Sequence, residues 1–417
     1  MRDFSSSAHS SGILGTTITV VLLCVHSILA QEEMSFQFDG FIDTYHATQS
    51  EWPHDYLSSR TRVRTNLRAD YGNASLFASL NAVYNSIIEE NTGVHLHEAY
   101  FIYTNSFAEL KAGRQIITWG VADGLRITDL ISPMDYTEFM ANDYDDIRIP
   151  VNGLRLKYLG KSSFQAEIIF IPIPEYFKLP ENESNPWSSE WGEKTSVNLE
   201  NTPEKRLKNS EFGSRITFYL ENLDFSVAAL HTYNKSPVYL SQYDTTTDSL
   251  DIQGIYKTMD MIGGDLSIPI GQCVLRGEFA EYFRESLSTR KQNAVYRKNT
   301  TNGLLGLDWY PGDDWTLMFQ YAHKYINDYE RELASEENTS TITARISKQL
   351  FHNLLKMSIA GTVDVNHIGY YARVAADYLL NDQITLSLGY DRFQGDESVF
   401  AQYEKNSEIW GKGKYAF

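Results

Sequence analysis

Four arginines recur at alternate positions in SRTRVRTNLRADYG, residues 59–72: Arg60, Arg62 and Arg64, then Arg68 after Asn66. A guanidinium is a permanent planar cation, so a row of them pairs with carboxylates or draws anions without any covalent step. Histidine offers the other chemistry. HLHEAY (95–100) has a metal-like look, but strand alternation predicts His95 and His97 on one face and Glu98 on the other. His231, His323 and scattered serines hold the atoms of a hydrolase, yet there is no nucleophile elbow, phosphate loop or zinc-protease motif. No catalytic residue, metal, cofactor or nucleic-acid partner is therefore expected.

The arginine row has a face only if its backbone is known. As a strand, residues 60–71 send Arg60, Arg62, Arg64, Asn66, Arg68 and Asp70 one way, and Thr61, Val63, Thr65, Leu67, Ala69 and Tyr71 the other. As a helix, Val63, Leu67 and Tyr71 also align, so the neighbours must decide. Aromatic residues make up 13% of the chain, with 27 tyrosines, while mean hydropathy is −0.36. Many rings on a chain that is polar on average suit strands with one apolar and one wet side.

One unit recurs: about ten alternating residues, a tight turn, about ten more, then a longer polar loop. Turn chemistry lies at Tyr71-Gly72-Asn73, Thr104-Asn105-Ser106, Gly160-Lys161-Ser162, Glu221-Asn222, Pro269-Ile270-Gly271, Pro311-Gly312-Asp313, His352-Asn353 and Asn381-Asp382. Longer connections fall near 47–58, 85–92, 118–148, 173–210, 234–251, 285–300, 328–339, 364–367 and 393–406. The expectation is an all-β chain: a closed antiparallel transmembrane β-barrel of about 18 strands (about 16 at least), with short periplasmic turns and long extracellular loops. An open sheet that wide would expose its edges, and a bilayer admits only helices or closed barrels.

The termini fit a bacterial outer-membrane protein. Residues 1–30 read as a cleaved export signal, with Arg2 ahead of an apolar core at 13–25. Residues 31–417 then form a single barrel domain, whose one cysteine, Cys273, excludes an internal disulfide. The strand expected from Phe36 would close against the last. IWGKGKYAF ends in Phe417 with an aromatic two residues earlier, which resembles the signal read by the barrel-assembly machinery. Outer-membrane lipids and a small hydrophilic solute, an anion or a sugar, are the other expected partners, and homo-oligomers stay open.

If Val63, Leu67, Ala69 and Tyr71 meet lipid, the arginines face a wet lumen, because a mid-membrane cation on the lipid side costs about 2 to 4 kcal/mol. Neighbouring acids must balance them, with Asp70, Glu98, Glu109 and Glu167 as candidates. Arg155, Lys157, Arg215, Arg276, Arg345, Lys356, Arg373, Lys412 and Lys414 add basic positions on strand faces. The chain has 54 acidic and 36 basic residues, a net −18, and the acids crowd the long loops at 175–194 and 329–338. An acidic mouth over basic walls is expected.

Residues 111–160 stand apart. A strand runs into Gly113-Arg114-Gln115 and Trp119-Gly120, and the loop that follows carries Ile127, Leu130, Ile131, Met134, Phe139 and Met140. A loop with an apolar side folds back into the barrel, so 118–148 is expected inside the pore. The segment resembles porin-like outer-membrane barrels of largely unassigned function with a G-R-Q-x-x-x-W-G signature, matched here by Gly113, Arg114, Gln115, Trp119, Gly120, Asp129, Pro133 and Asp135. Alginate-export and anion-porin barrels share the style, and Val121 stands where that family has a polar residue. The resemblance implies an ordered constriction loop; Arg114 is expected to clamp it through Asp129, Asp135, Asp143, Asp145 or Asp146, with Trp119 as wedge or interface anchor. Three functions compete: a passive porin-like channel, an adhesive or structural barrel without an open pore, and an outer-membrane hydrolase.

Overall fold

The computed structural model describes residues 34–138, 144–160, 163–189, 191, 194–199 and 201–417; the expected export signal, Phe139, Met140 and Asp143 lie outside them. Alternation yields strands almost throughout. They are β1 (Ser35–Gln49), β2 (Tyr56–Tyr71), β3 (Ala74–Asn85), β4 (Gly93–Thr104), β5 (Ala108–Gln115), β6 (Val151–Leu159), β7 (Phe164–Ile171), β8 (Thr195–Asn198), β9 (Glu211–Leu220), β10 (Leu223–Tyr233), β11 (Val238–Asp244) and β12 (Ser249–Ile255). The second half holds β13 (Thr258–Ile270), β14 (Cys273–Ser288), β15 (Val295–Gly312), β16 (Trp315–Ile326), β17 (Asn338–Leu350), β18 (Leu355–Asp364), β19 (Gly369–Leu379), β20 (Ile384–Gln394) and β21 (Glu408–Ala416).

Eighteen strands form one antiparallel sheet, and β1 pairs with both β2 and β21, so the sheet closes into a barrel. Closure leaves no sheet edge to solvate, the condition for strands to cross a bilayer. At the seam Phe417 and Gly40 exchange backbone hydrogen bonds of 3.0 Å, and the Phe417 ring lies 5.9 Å from that of Phe38. The expected tight turns between β2 and β3, and between β9 and β10, fall where Gly72-Asn73 and Glu221-Asn222 stand.

The two faces invert the pattern of a water-soluble protein. Leu305 is 71% and Leu388 69% exposed, whereas Asp308 and Asp391 are 0% exposed on the same two strands, β15 and β20. Leu305 and Leu388 belong to a continuous exposed apolar face, which fits hydrocarbon, and carboxylates so buried need partners. Asp308 meets Arg276 at 2.6 Å and Asp391 meets Arg373 at 2.6 Å. The barrel is therefore apolar outside and polar inside, and its place is the bacterial outer membrane.

Two local readings change. Residues 234–251 are not a plain loop: β11 and β12 form a hairpin joined by β8 in a separate three-stranded sheet outside the barrel ring. The alternation in VYLSQYD and SLDIQGI is as strong as in a barrel strand, and sequence period alone does not say which sheet it joins. On β4, the register shifts opposite Ser79 and Leu80, where Leu96 and Glu98 are the paired residues and His97 is the extra one. This bulge resets the alternation, so Glu98 shares the inner side with His95 and His97 instead of opposing them.

Candidate functional site

The segment between β5 and β6 crosses the barrel interior, and its first anchor is Trp119. Its ring is 2% exposed in an apolar cluster with Ile117, Ile127, Ile131 and the inward-facing Ile169, Leu230, Met261, Tyr282 and Leu304. Its indole Nε1 donates to Glu167 Oε1 at 2.7 Å, a carboxylate that Arg155 also holds at 2.8 Å. Gly120 follows at φ 87°, and a Cβ there would lie 2.5 Å from Glu278 Oε1. Glycine is required on both counts.

That close approach makes a cradle. Glu278 on β14 accepts from Val121 N and Ala122 N at 2.6 Å each, and from Thr128 N at 3.0 Å and Oγ1 at 2.9 Å. Arg276 Nη1 donates to the Val121 carbonyl at 2.8 Å, and Tyr282 Oη to that of Ile127 at 2.5 Å. Side chains of β14 thus grip the loop's backbone polar groups, which would otherwise be buried unpaired.

The returning limb reaches the arginine row on β2. Arg60 meets Glu138 at 3.1 Å and Asp43 at 3.7 Å. Arg62 meets Asp43 at 2.6 Å and Asp146 at 2.7 Å, and Arg64 meets Asp146 at 2.5 Å and Asn81 at 2.7 Å. Burial pushes the Asp146 carboxyl up, but Arg62 and Arg64 outweigh it and hold it below the ordinary carboxylate value. Between this limb and β2–β4 lies a cavity of about 300 Å³, lined in part by Arg64, His95, His97, Arg114 and Lys178.

A second segment, 172–189, lies across the outer mouth. Trp187, 2% exposed, packs with Phe393 and Tyr403 at ring distances of 6.1 and 5.9 Å. Asn406 Nδ2 donates to the Pro186 carbonyl at 2.7 Å, and Asn185 Nδ2 to that of Thr137 at 2.9 Å. At its start Glu175 lies 3.8 Å from Arg114. Burial raises the Glu175 carboxyl above its ordinary value, and Arg114, Lys205 and Lys235 oppose this without cancelling it.

Residues 49–395 match the model of a family described as "Protein of unknown function (DUF1302)". The chain belongs to this family. No curated protein matches it. Among solved structures, OccD3 (OpdP) of Pseudomonas aeruginosa matches at TM-score 0.54 and 11% identity, over 92% of this chain and 91% of that one. OpdK of Pseudomonas aeruginosa, solved with vanillate, matches at TM-score 0.54 and 8% identity, covering 92% and 98%. OccAB3 of Acinetobacter baumannii matches at TM-score 0.52 and 8% identity, covering 92% and 99%. These likenesses show that the DUF1302 barrel has the fold of outer-membrane porins.

Within this DUF1302 barrel the expected lumen residues separate into groups. Arg60, Arg62 and Arg64 converge on the loop, while Arg68 pairs only 3.0 Å away with Asp70 on its own strand. Arg155 and Lys157 share Glu167, at 2.8 and 3.6 Å, and Glu109 stands opposite Lys157 in the β5–β6 register. Glu98 accepts from Ile116 N at 2.8 Å at the start of the loop. Of the four acids expected to balance the row, Asp70 meets Arg68, whereas Arg60, Arg62 and Arg64 are served by three acids not among them, Asp43, Glu138 and Asp146.

The constriction-loop residues also redistribute. Arg114 does not meet Asp129: its Nε donates to the Leu96 and His97 carbonyls at 3.2 Å each. Arg148 takes the Asp129 carboxylate instead. Because Arg114 still belongs to β5, its side chain leaves towards the β4 bulge, while Asp129 turns to the loop itself and accepts from Trp119 N at 3.2 Å. Asp135 accepts from Thr137 N at 3.0 Å and approaches Lys178 at 3.6 Å. Gln115 is fully buried, with Nε2 donating to the Gly153 carbonyl at 3.1 Å. Trp119 is a wedge in the lumen rather than an interface anchor. Glu278, Tyr282, Arg148 and Trp187 escaped the sequence reading, although inward alternation of Arg276, Glu278 and Tyr282 was there to be seen.

Proposed function

We propose that the protein is a porin-like channel through which small hydrophilic solutes diffuse passively, guided by fixed charges along a lumen narrowed by residues 116–138 and 144–150. The observation that carries this reading is the charged inner wall that remains beside the loop. Arg345, Lys356, Lys412 and Lys414 occupy inward positions on β17, β18 and β21, and Lys356 stands opposite Asp377 in register. Such walls replace part of an ion's hydration and so favour passage without chemistry. No covalent step is assigned to any residue. Liposomes reconstituted with folded protein are expected to swell in small sugars and amino acids. Impermeability to the smallest of these would refute the channel.

A barrel sealed at its outer mouth is the second reading. Trp187 in its aromatic socket supports it, because Asn185 and Trp187 tie Thr137 of the inner loop to Phe393 and Tyr403 near the end of the chain. The same swelling assay separates the two. Trimer formation and recognition of the terminal Phe417 by an assembly factor are compatible with either.

A further inference from the structure

We infer that the cavity between the loop and strands β2–β4 is a binding site for a small organic carboxylate. This deepens the channel reading, on which it rests for the route by which a ligand arrives. The volume of about 300 Å³ equals the space of about ten water molecules in the liquid, which suits a molecule of about ten non-hydrogen atoms.

The charge argument is one of supply after internal pairing. Four acids line the cavity: Glu90, Asp135, Glu138 and Asp146. Each is already engaged. Glu138 accepts from Ser58 at 2.5 Å, Arg60 at 3.1 Å and Asn85 at 3.0 Å. Asp146 is held by Arg62 and Arg64 at 2.7 and 2.5 Å. Asp135 takes Thr137 Oγ1 at 2.5 Å, and Glu90 takes Asn185 at 3.1 Å.

The donors are less committed. Among the described residues, Arg114 uses Nε for backbone carbonyls, and its terminal nitrogens have no acid nearer than Glu175 at 3.8 Å. The imidazoles of His95 and His97 make no hydrogen bond among the described residues, and the β4 bulge turns His97 towards the cavity beside Arg64. Lys178 reaches Asn91 at 3.2 Å and Asp135 only at 3.6 Å. A planar fork, two imidazoles and an ammonium therefore face one polar space, the donor set that a carboxylate completes. A neutral sugar of the same size would leave the Arg114 fork without an anionic partner.

The test is equilibrium binding to the full barrel in detergent, by titration calorimetry with benzoate, succinate and glucose, beside single-channel recording. The carboxylates are expected to bind and glucose not to bind. Arg114→Ala is expected to weaken carboxylate binding at least tenfold. Lys178→Ala, on an exposed side chain that the fold does not need, is expected to weaken it about threefold. Equal binding of glucose, or unchanged affinity in both variants, would overturn the inference. A channel that conducts but binds neither carboxylate would sink this site and leave the porin reading standing. A barrel that binds them but never conducts would do the reverse.

Discussion

Asp146→Asn removes the carboxylate shared by Arg62 and Arg64 and so tests whether the loop is held electrostatically. With charge centres about 4 Å apart and an effective dielectric of about 20, each pair is worth about 4 kcal/mol. Repulsion between the two guanidiniums and the dehydration of three charged groups offset much of this. The Asp146 side chain is 16% exposed, which lowers the figure again, so about 2 to 4 kcal/mol is the expected loss. A loss near the middle of that range lowers the docked-to-undocked ratio by about 100-fold. Trp119, Arg148 and Tyr282 keep their own contacts, so the barrel should still fold while residues 144–150 detach. In planar bilayers we expect larger single-channel conductance, more current noise, and a reversal potential under a salt gradient shifted towards anions. Unchanged values on all three would refute the clamp. The folded carboxyl lies below its ordinary value, so this docking is complete above the ordinary carboxylate pKa of about 4 and fails only in stronger acid.

Three further outcomes are expected. Trp119→Ala should cost about 3 to 5 kcal/mol from the lost buried ring, read as a lower urea midpoint of the detergent-solubilised barrel, with Glu167 left to Arg155 and Lys157. Trp187→Ala should free segment 172–189 and lengthen open times in single-channel records, while the heat-modified shift of the folded barrel on gels persists. Glu175 has a raised carboxyl, so the folded loop gains stability as pH falls through that raised value towards the ordinary one. Closures should therefore lengthen as pH falls towards the ordinary carboxylate value, and Glu175→Gln should abolish that dependence.

The barrel was legible because its signal is repeated many times. Each hairpin combines alternation with a turn such as Gly72-Asn73 or Glu221-Asn222, and each strand has the same two neighbours to satisfy. Asp43, directly opposite Arg62 in the β1–β2 register, could have been found by pairing the first two strands. Glu138, Asp146 and Trp187 could not, since they lie on connections without period whose path is set by distant walls. Three local facts were equally silent. The extra residue at His97 carries no compositional marker, the β11–β12 hairpin imitates barrel strands, and Arg114 and Arg148 look interchangeable until the backbone shows which one faces Asp129.

The pairing of Phe41 with Ala416 across the seam joins segments from opposite ends of the polypeptide. Until synthesis and export of the whole chain are complete, β1 has one bare flank with unmet amides and carbonyls. Before that pairing forms, β1 carries an adhesive border of backbone polar groups, and β21 is the strand that covers it.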